Sequence, residues 1–301
     1  MAERVLISEV APRDGLQMAA GRMSTADKCR WIDALAAAGL TEIEVGSFVP
    51  PKVLPMMADI EQVVAHALTL PGLTVAVLAP NAKGGARALA SGAHKITLPV
   101  SVSRSHSLAN VNRTPEESVA DLAKLVVERA AGSGPRPEIE GGLSTAFGCS
   151  IEGEVPEDDV VRLAEALAEA GADAIGLSDT AGMADPAQVK RLIGRVRTSV
   201  GDLLDGVHLH NTNGMGPANA YAAFEAGIGT FDASLAGLGG CPFAPGATGN
   251  IVTEDLVHMF ERMGVRTGVS LDGLLAARAI LAEAMPGEPL YGFLPALRPA
   301  A

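Results

Sequence analysis

The sequence predicts an α/β protein, a (β/α)8 TIM barrel with a short C-terminal helical extension over about 266–301, the whole forming one domain. Three observations carry this. Strand-like apolar runs alternate with helix-like runs eight times along the 301 residues. The phrases AAGLTEIEV, ASGAHKITL, EAGADAIGL and EAGIGTFDA repeat one unit, a helix end, a glycine stop and a buried strand. The segment after the first strand reads APRDGLQ, which is no G-x-G-x-x-G loop and so argues against an open, dinucleotide-binding sheet.

The elements follow in order. Arg4–Val10 is the first expected strand, and Ser24 with Asp27 caps an Ala-rich helix that runs to Ala38 and is stopped by Gly39. Glu42–Gly46 is the second strand, followed by a Pro-rich loop and a helix near Asp59–Leu70. Leu73–Ala79 is the third strand, Asn81 caps a helix to Ser91, and Lys95–Val100 is the fourth strand. Thr114 and Pro115 open a helix to about Ala131 before the fifth strand, Ile139–Thr145. Pro156 and Glu157–Asp159 start the next helix, Asp173–Leu177 is strand six, and Pro186–Thr198 its helix. Val207–His210, a helix over Pro217–Ala226 and Thr230–Leu235 complete the eight strands. Helices Glu254–Met263 and Leu271–Ala284 end the chain.

Composition narrows the function classes. Hydrophobic residues make up 48% and aromatics only 3%, a mixture that suits small and branched barrel packing. The formal net charge of −12 disfavours nucleic acid and anionic membranes, so neither is expected as a partner. Cys29, Cys149 and Cys241 are widely spaced, without a CxxC or a disulfide framework. With no leader-like N-terminus and no long apolar run, the expected location is the cytoplasm.

In a barrel, chemistry gathers at the C-terminal ends of the strands. There the sequence places Arg13, Asp14, Glu44, Asp179, His208, His210, Cys241 and Asn250. His208 and His210 form an H-x-H on a strand, so both imidazoles share one face. Alone, that pattern is equally compatible with two solvent-facing polar residues. Asp14 adds a hard oxygen ligand, and Asn250 could supply another. Two nitrogens with oxygens favour Mg2+ or Mn2+ over a closed zinc site. Arg13 fits a surface ion pair or a fixed cation beside a developing enolate. Glu44, flanked by apolar residues, fits either a partner for Arg13 or a general acid or base. Asp179 also suits the first polar position of a βα loop. Cys241 lies in the Gly- and Pro-rich stretch GLGGCPFAPGATGN, either as a small packed residue or as a proton donor on a lid. Cys29, Cys149, His66, His94, His106 and His258 read as structural or surface residues.

The stretches VLISEVAPRDGLQ, EIEVGSFVPPKVLPMMAD, HLHNTNG and SLAGLGGCPFAPGATGNIVTEDLVHMF resemble the 3-hydroxy-3-methylglutaryl-CoA lyase family across nearly the whole chain. The resemblance implies a metal-dependent retro-Claisen cleavage of an acyl-CoA to acetyl-CoA and a 3-oxoacid. It also implies a homo-oligomer and a place in leucine catabolism. Carried over, Asp14, His208, His210 and Asn250 would hold the cation, Mg2+ or Mn2+. Arg13 would stabilise the enolate, Cys241 would be the loop acid/base, and Glu44 and Asp179 would be essential polar partners. Gln17, Ser47, Gly142 and Gly176 are the substrate-binding candidates.

Four departures fall near the acyl group. The family's GLQNE is GLQMA here, with Met18 and Ala19, and Gly142 stands where the family has a Tyr before V-S. Its S-L-G-D-T becomes Gly176-Leu177-Ser178-Asp179-Thr180, and its H-D-T-Y-G becomes His210-Asn211-Thr212-Asn213-Gly214. Gly142 and Gly176 should widen the acyl pocket for a bulkier 3-substituent unless Phe147 or Met18 fills the space. The alternatives are a condensing synthase of the isopropylmalate synthase kind and a non-catalytic barrel that binds metal and CoA.

Overall fold

A computed structural model describes residues 3–239 and 249–294. Eight parallel strands close into a barrel in sequence order, β1 to β8. They are β1 Leu6–Glu9, β2 Glu42–Ser47, β3 Thr74–Leu78, β4 Lys95–Ser101, β5 Glu138–Ser144, β6 Ala174–Asp179, β7 Leu204–Leu209 and β8 Thr230–Ala233. Closure comes from β1 pairing with β8, Leu6 opposite Thr230 and Glu9 opposite Ala233.

The expected strands are all present, with shifted ends. Arg4 makes only an isolated bridge to Arg266, so β1 starts at Leu6. Its other end stops before Val10, whose carbonyl accepts the N–H groups of Arg13, Asp14 and Gly15 at 3.1, 2.7 and 3.4 Å. Those bonds make Ala11–Gly15 a π-helical turn, a form that recurs at functional sites. β7 begins earlier than expected, at Leu204, and ends at Leu209.

Helix caps fall where the side chains can supply them. Ser24 accepts from Asp27 N–H ahead of Thr25–Ala37, and Asn81 from Gly84 N–H ahead of Ala82–Ser91. Thr114 and Glu117 form a reciprocal capping box ahead of Pro115–Ala131. A helix over Arg104–Val111, capped by Ser103, was not expected from the sequence. Its mean apolar content is low, so periodicity gives it no signal; only the Ser103 cap marks it.

Alternate strand residues face outward and inward. The outward set, such as Ile96, Leu98, Ile139 and Leu143, is fully buried against the helices. Gly141 belongs to this set: a Cβ there would lie 2.7 Å from Leu167, so its absence lets the Glu157–Glu169 helix close on the barrel. The inward set is unusually polar and small, and it shapes the site. After the barrel, Thr253–Arg262 and Leu271–Ala284 follow as helices, the latter packing Gly273 against Ala38. Among the described residues, no helix is long and apolar enough to cross a membrane.

Candidate metal centre

The π turn after β1 projects Arg13 and Asp14 over the C-terminal mouth of the barrel. His208 lies in β7 and His210 just past its end, with Leu209 between them turned into the core. Both histidines therefore face the lumen, as the period of two requires. An antiparallel bridge between His210 and Asn250 brings the returning chain alongside.

One ligand atom from each of Asp14, His208 and His210 falls within 4.8 Å of the others, a spacing that can hold a metal ion. The two Nε2 atoms face each other at 3.2 Å. His208 Nδ1 pairs with Asp232 Oδ2 at 3.0 Å, which places a ring proton on Nδ1 and turns Nε2 toward the cluster. Asn250 Nδ2 donates to Asp14 Oδ2 at 2.6 Å, and Asn250 Oδ1 is buried without a hydrogen-bond partner, as are His210 Nδ1 and Glu44 Oε1. Buried polar atoms without partners around converging imidazoles fit a divalent cation, and mixed nitrogen and oxygen donors suit one held with open positions.

Electrostatics agree. Burial, then the neighbouring His208, pushes His210 down to about 4, so its ring is neutral. Burial would raise the Asp14 carboxyl, but Arg13, His208 and His210 hold it below the usual carboxylate range. Arg13 donates from Nε to Glu44 Oε2 at 2.5 Å and also bonds Asp14. Burial pushes Glu44 up to about 7 even though Arg13 opposes it. A fixed guanidinium thus stands beside the metal cluster, backed by a carboxylate of shifted proton affinity.

The cavity beneath this cluster has a volume of about 600 Å3. Arg13, Asp14, Glu44, His208, His210 and Asn250 all line it. Gln17 lines it too, its Oε1 buried without a partner, and so do Gly142 and Gly176. Two expected site residues stand elsewhere. Asp179 is fully buried below the β6 loop, where its carboxylate accepts Met183 N–H at 2.8 Å and Ala184 N–H at 3.2 Å. Its geometry is that of a loop anchor. Ser47 is fully buried and its hydroxyl accepts from Val49 N–H at 3.2 Å, which turns it into the strand-end turn and away from the cavity. Cys241 lies outside the described residues.

The two glycines differ. A Cβ on Gly142 would meet only Thr97 Cγ2, at 3.4 Å, an ordinary contact on one side. A Cβ on Gly176 would lie 2.6 Å from Glu140 Oε1, so that room is taken by a carboxylate. The contact at Gly142 is compatible with the expected widening, while at Gly176 the Glu140 carboxylate occupies the adjoining space. Neither Phe147 nor Met18 is the neighbour at either position.

Asp232, Lys95, Glu42 and Glu140 were missed in the sequence. Each is a charged residue in the inward phase of a strand, the same signal that marked Glu44.

Residues 4–281 match the family model described as HMGL-like. The hydroxymethylglutaryl-CoA lyase YngG of Bacillus subtilis is 40% identical, over 96% of this chain and 95% of its own. The (R)-citramalyl-CoA lyase of Chloroflexus aurantiacus is also 40% identical, over 96% of this chain and 93% of its own. A solved HMG-CoA lyase from Acinetobacter baumannii, in complex with coenzyme A and 3-methylmalate, superposes with a TM-score of 0.90 at 38% identity, covering 99% of this chain and 98% of that one. With that match running from the first strand to the last helix, the chain belongs to the HMGL-like family.

Proposed function

We propose that the protein is a divalent-metal-dependent lyase that cleaves 3-hydroxy-3-methylglutaryl-CoA, or a related 3-hydroxyacyl-CoA, to acetyl-CoA and a 3-oxoacid. The convergence of Asp14, His208 and His210 beside Arg13 at the mouth of the cavity carries the reading. Its relatives by name act on CoA thioesters that differ in the acyl part.

Asp14, His208 and His210 would hold Mg2+ or Mn2+, with Asn250, whose buried amide oxygen has no hydrogen-bond partner, as a further oxygen ligand. The cation would supply a Lewis acid that polarises the 3-hydroxyl and makes its proton easier to lose. As that proton passes to the Cys241 thiolate, the loop acid/base, C3 becomes a ketone and the electrons of the C2–C3 bond pass to the thioester as an enolate. Arg13, already charged and held in place by Glu44, offsets that developing charge without reorganising. The enolate then takes a proton at C2, and Cys241 is the donor we assign from its place in the sequence. Asp179 acts by anchoring the loop after β6 through the Met183 and Ala184 N–H groups.

The test is an acetyl-CoA assay on purified protein with 3-hydroxy-3-methylglutaryl-CoA, first in excess chelator and then with Mg2+ or Mn2+ restored. Metal-restored turnover is expected. Full turnover in chelator by protein shown to be metal-free would overturn the proposal.

A further inference from the structure

The interior of a (β/α)8 barrel is ordinarily filled by layers of bulky branched side chains. In this chain the inward positions below the metal cluster are Ser8, Ala76, Thr97, Gly142, Gly176 and Gly206, all small and all lining the cavity. The cavity therefore continues down the barrel axis to the N-terminal ends of the strands. Glu42, Lys95, Glu140 and Asp205 form its floor.

The floor has a definite hydrogen-bonding character. Lys95 opens β4, and its ammonium lies 2.7 Å from Glu140 Oε2, 3.4 Å from Glu42 Oε1 and 3.6 Å from Glu138 Oε1. The ammonium is thus ion-paired to three carboxylates at once, with its hydrogen bond to Glu42. Burial works against the Lys95 charge, but Glu140 and then Glu42 more than offset it, so the side chain stays protonated. Thr230 spends its hydroxyl proton on Asp205 Oδ2 at 2.8 Å. Glu140 turns its other oxygen, Oε1, toward Gly176. What the floor chiefly offers a ligand is lone pairs, because one cation stands among the carboxylates of Glu42, Glu138, Glu140 and Asp205.

That balance selects among ligands. A hydrocarbon end would leave the carboxylates desolvated without a partner, which costs free energy. An anionic end would meet like charge. A hydroxyl or an ammonium would donate into the free lone pairs. The reach is short: Glu42 lies two residues below Glu44 on β2, about 6.6 Å along the strand, and Glu44 is bonded to Arg13 beside the metal cluster.

We propose that this lumen receives the 3-substituent of the substrate, and that the preferred 3-hydroxyacyl-CoA carries there a short chain ending in a hydrogen-bond donor, a hydroxyl or an amine, seated on Glu140 and Glu42. The inference rests on the lyase reading above and names its acyl class. It replaces the expectation of a purely apolar enlargement, because the space opened at Gly142 leads to a charged floor.

The experiment compares kcat/KM of the Mg2+-loaded wild-type protein for four 3-hydroxyglutaryl-CoA thioesters, bearing 3-methyl, 3-butyl, 3-(3-hydroxypropyl) and 3-(3-aminopropyl) groups. The last three match in length, so their ratios isolate the terminal group, and the last two separate the hydroxyl from the ammonium source. The better of the two donor-bearing thioesters should exceed the butyl thioester by about tenfold or more, the worth of one buried hydrogen bond. Glu140→Leu should bring that ratio to one or below. Butyl or methyl equal to or better than both donor-bearing chains would overturn the inference, and turnover of the methyl thioester would leave the lyase reading standing. No turnover of any of the four would overturn both. An unchanged ratio in Glu140→Leu would also overturn it, and Glu140→Gln, which keeps the size, serves in its place if the leucine variant fails to fold.

Discussion

Alanine at Gly142 and at Gly176 should have opposite effects on stability, although the two glycines are register partners on adjacent strands. At Gly142 the added methyl meets only Thr97 Cγ2 at 3.4 Å, an ordinary contact, and the backbone needs no glycine-only conformation. Removing a glycine from a strand restricts the unfolded chain, so Gly142→Ala should be neutral or gain about 0.4–1 kcal/mol. At Gly176 the methyl lands 2.6 Å from Glu140 Oε1. That carboxylate cannot swing away freely, because its other oxygen holds Lys95 at 2.7 Å. Overpacking of this kind costs about 1–3 kcal/mol. A fully broken buried pair would cost about 3–5 kcal/mol, and Lys95 keeps Glu42 and Glu138, so the lower range applies. Urea unfolding followed by circular dichroism measures both variants. The mechanism is checked by repeating Gly176→Ala in a Glu140→Ala background, where its cost should largely vanish. Equal losses for both single variants, or the same Gly176→Ala cost without Glu140, would refute the reasoning.

Three further outcomes are expected. Asp232→Ala, which frees the His208 ring, should weaken Mn2+ binding by about 10–100-fold; an unchanged Kd by calorimetry would show that Asp232 does not orient the ligand. Cys241→Ser should keep the thermal midpoint and lose about 10²–10⁴-fold in rate, whereas a fully active variant would reduce Cys241 to packing. Burial pushes Glu9 up to about 8, so the folded protein keeps a proton that the unfolded chain releases near the ordinary 4.5. That contribution is present at low pH and lost as pH rises from about 4.5 to 8. Glu9→Gln keeps acceptors for Ala11 and Leu235 N–H and removes the titration. Its melting temperature should gain on wild type between pH 5 and 8, and parallel melting curves across that range would contradict this.

Much of the barrel is legible in the sequence because glycine stops and apolar strands repeat with it, and the caps at Ser24, Asn81 and Thr114 mark helix starts by their own side-chain bonds. The H-x-H pair is legible for the same reason, a period of two fixing both rings on one face. The π turn that aims Arg13 and Asp14 is not legible, since it arises from three N–H groups converging on Val10 O. Asp179 and Ser47 sit at the right height in the barrel, yet their oxygens are consumed by backbone N–H groups of their own loops. Burial of a polar residue does not say which way its side chain is spent. The floor of the lumen went unread because Glu42, Lys95 and Glu140 look like solvated strand ends one at a time. Only barrel closure brings them together.

The account stands most directly on a cation held by Asp14, His208 and His210. Mn2+ titration of chelator-treated protein by electron paramagnetic resonance measures this without reference to turnover. Wild type should take up one equivalent of Mn2+, and His210→Ala and Asp14→Ala should lose it while remaining folded. Uptake by both variants at wild-type affinity, or none by the folded wild-type protein, would contradict the assignment.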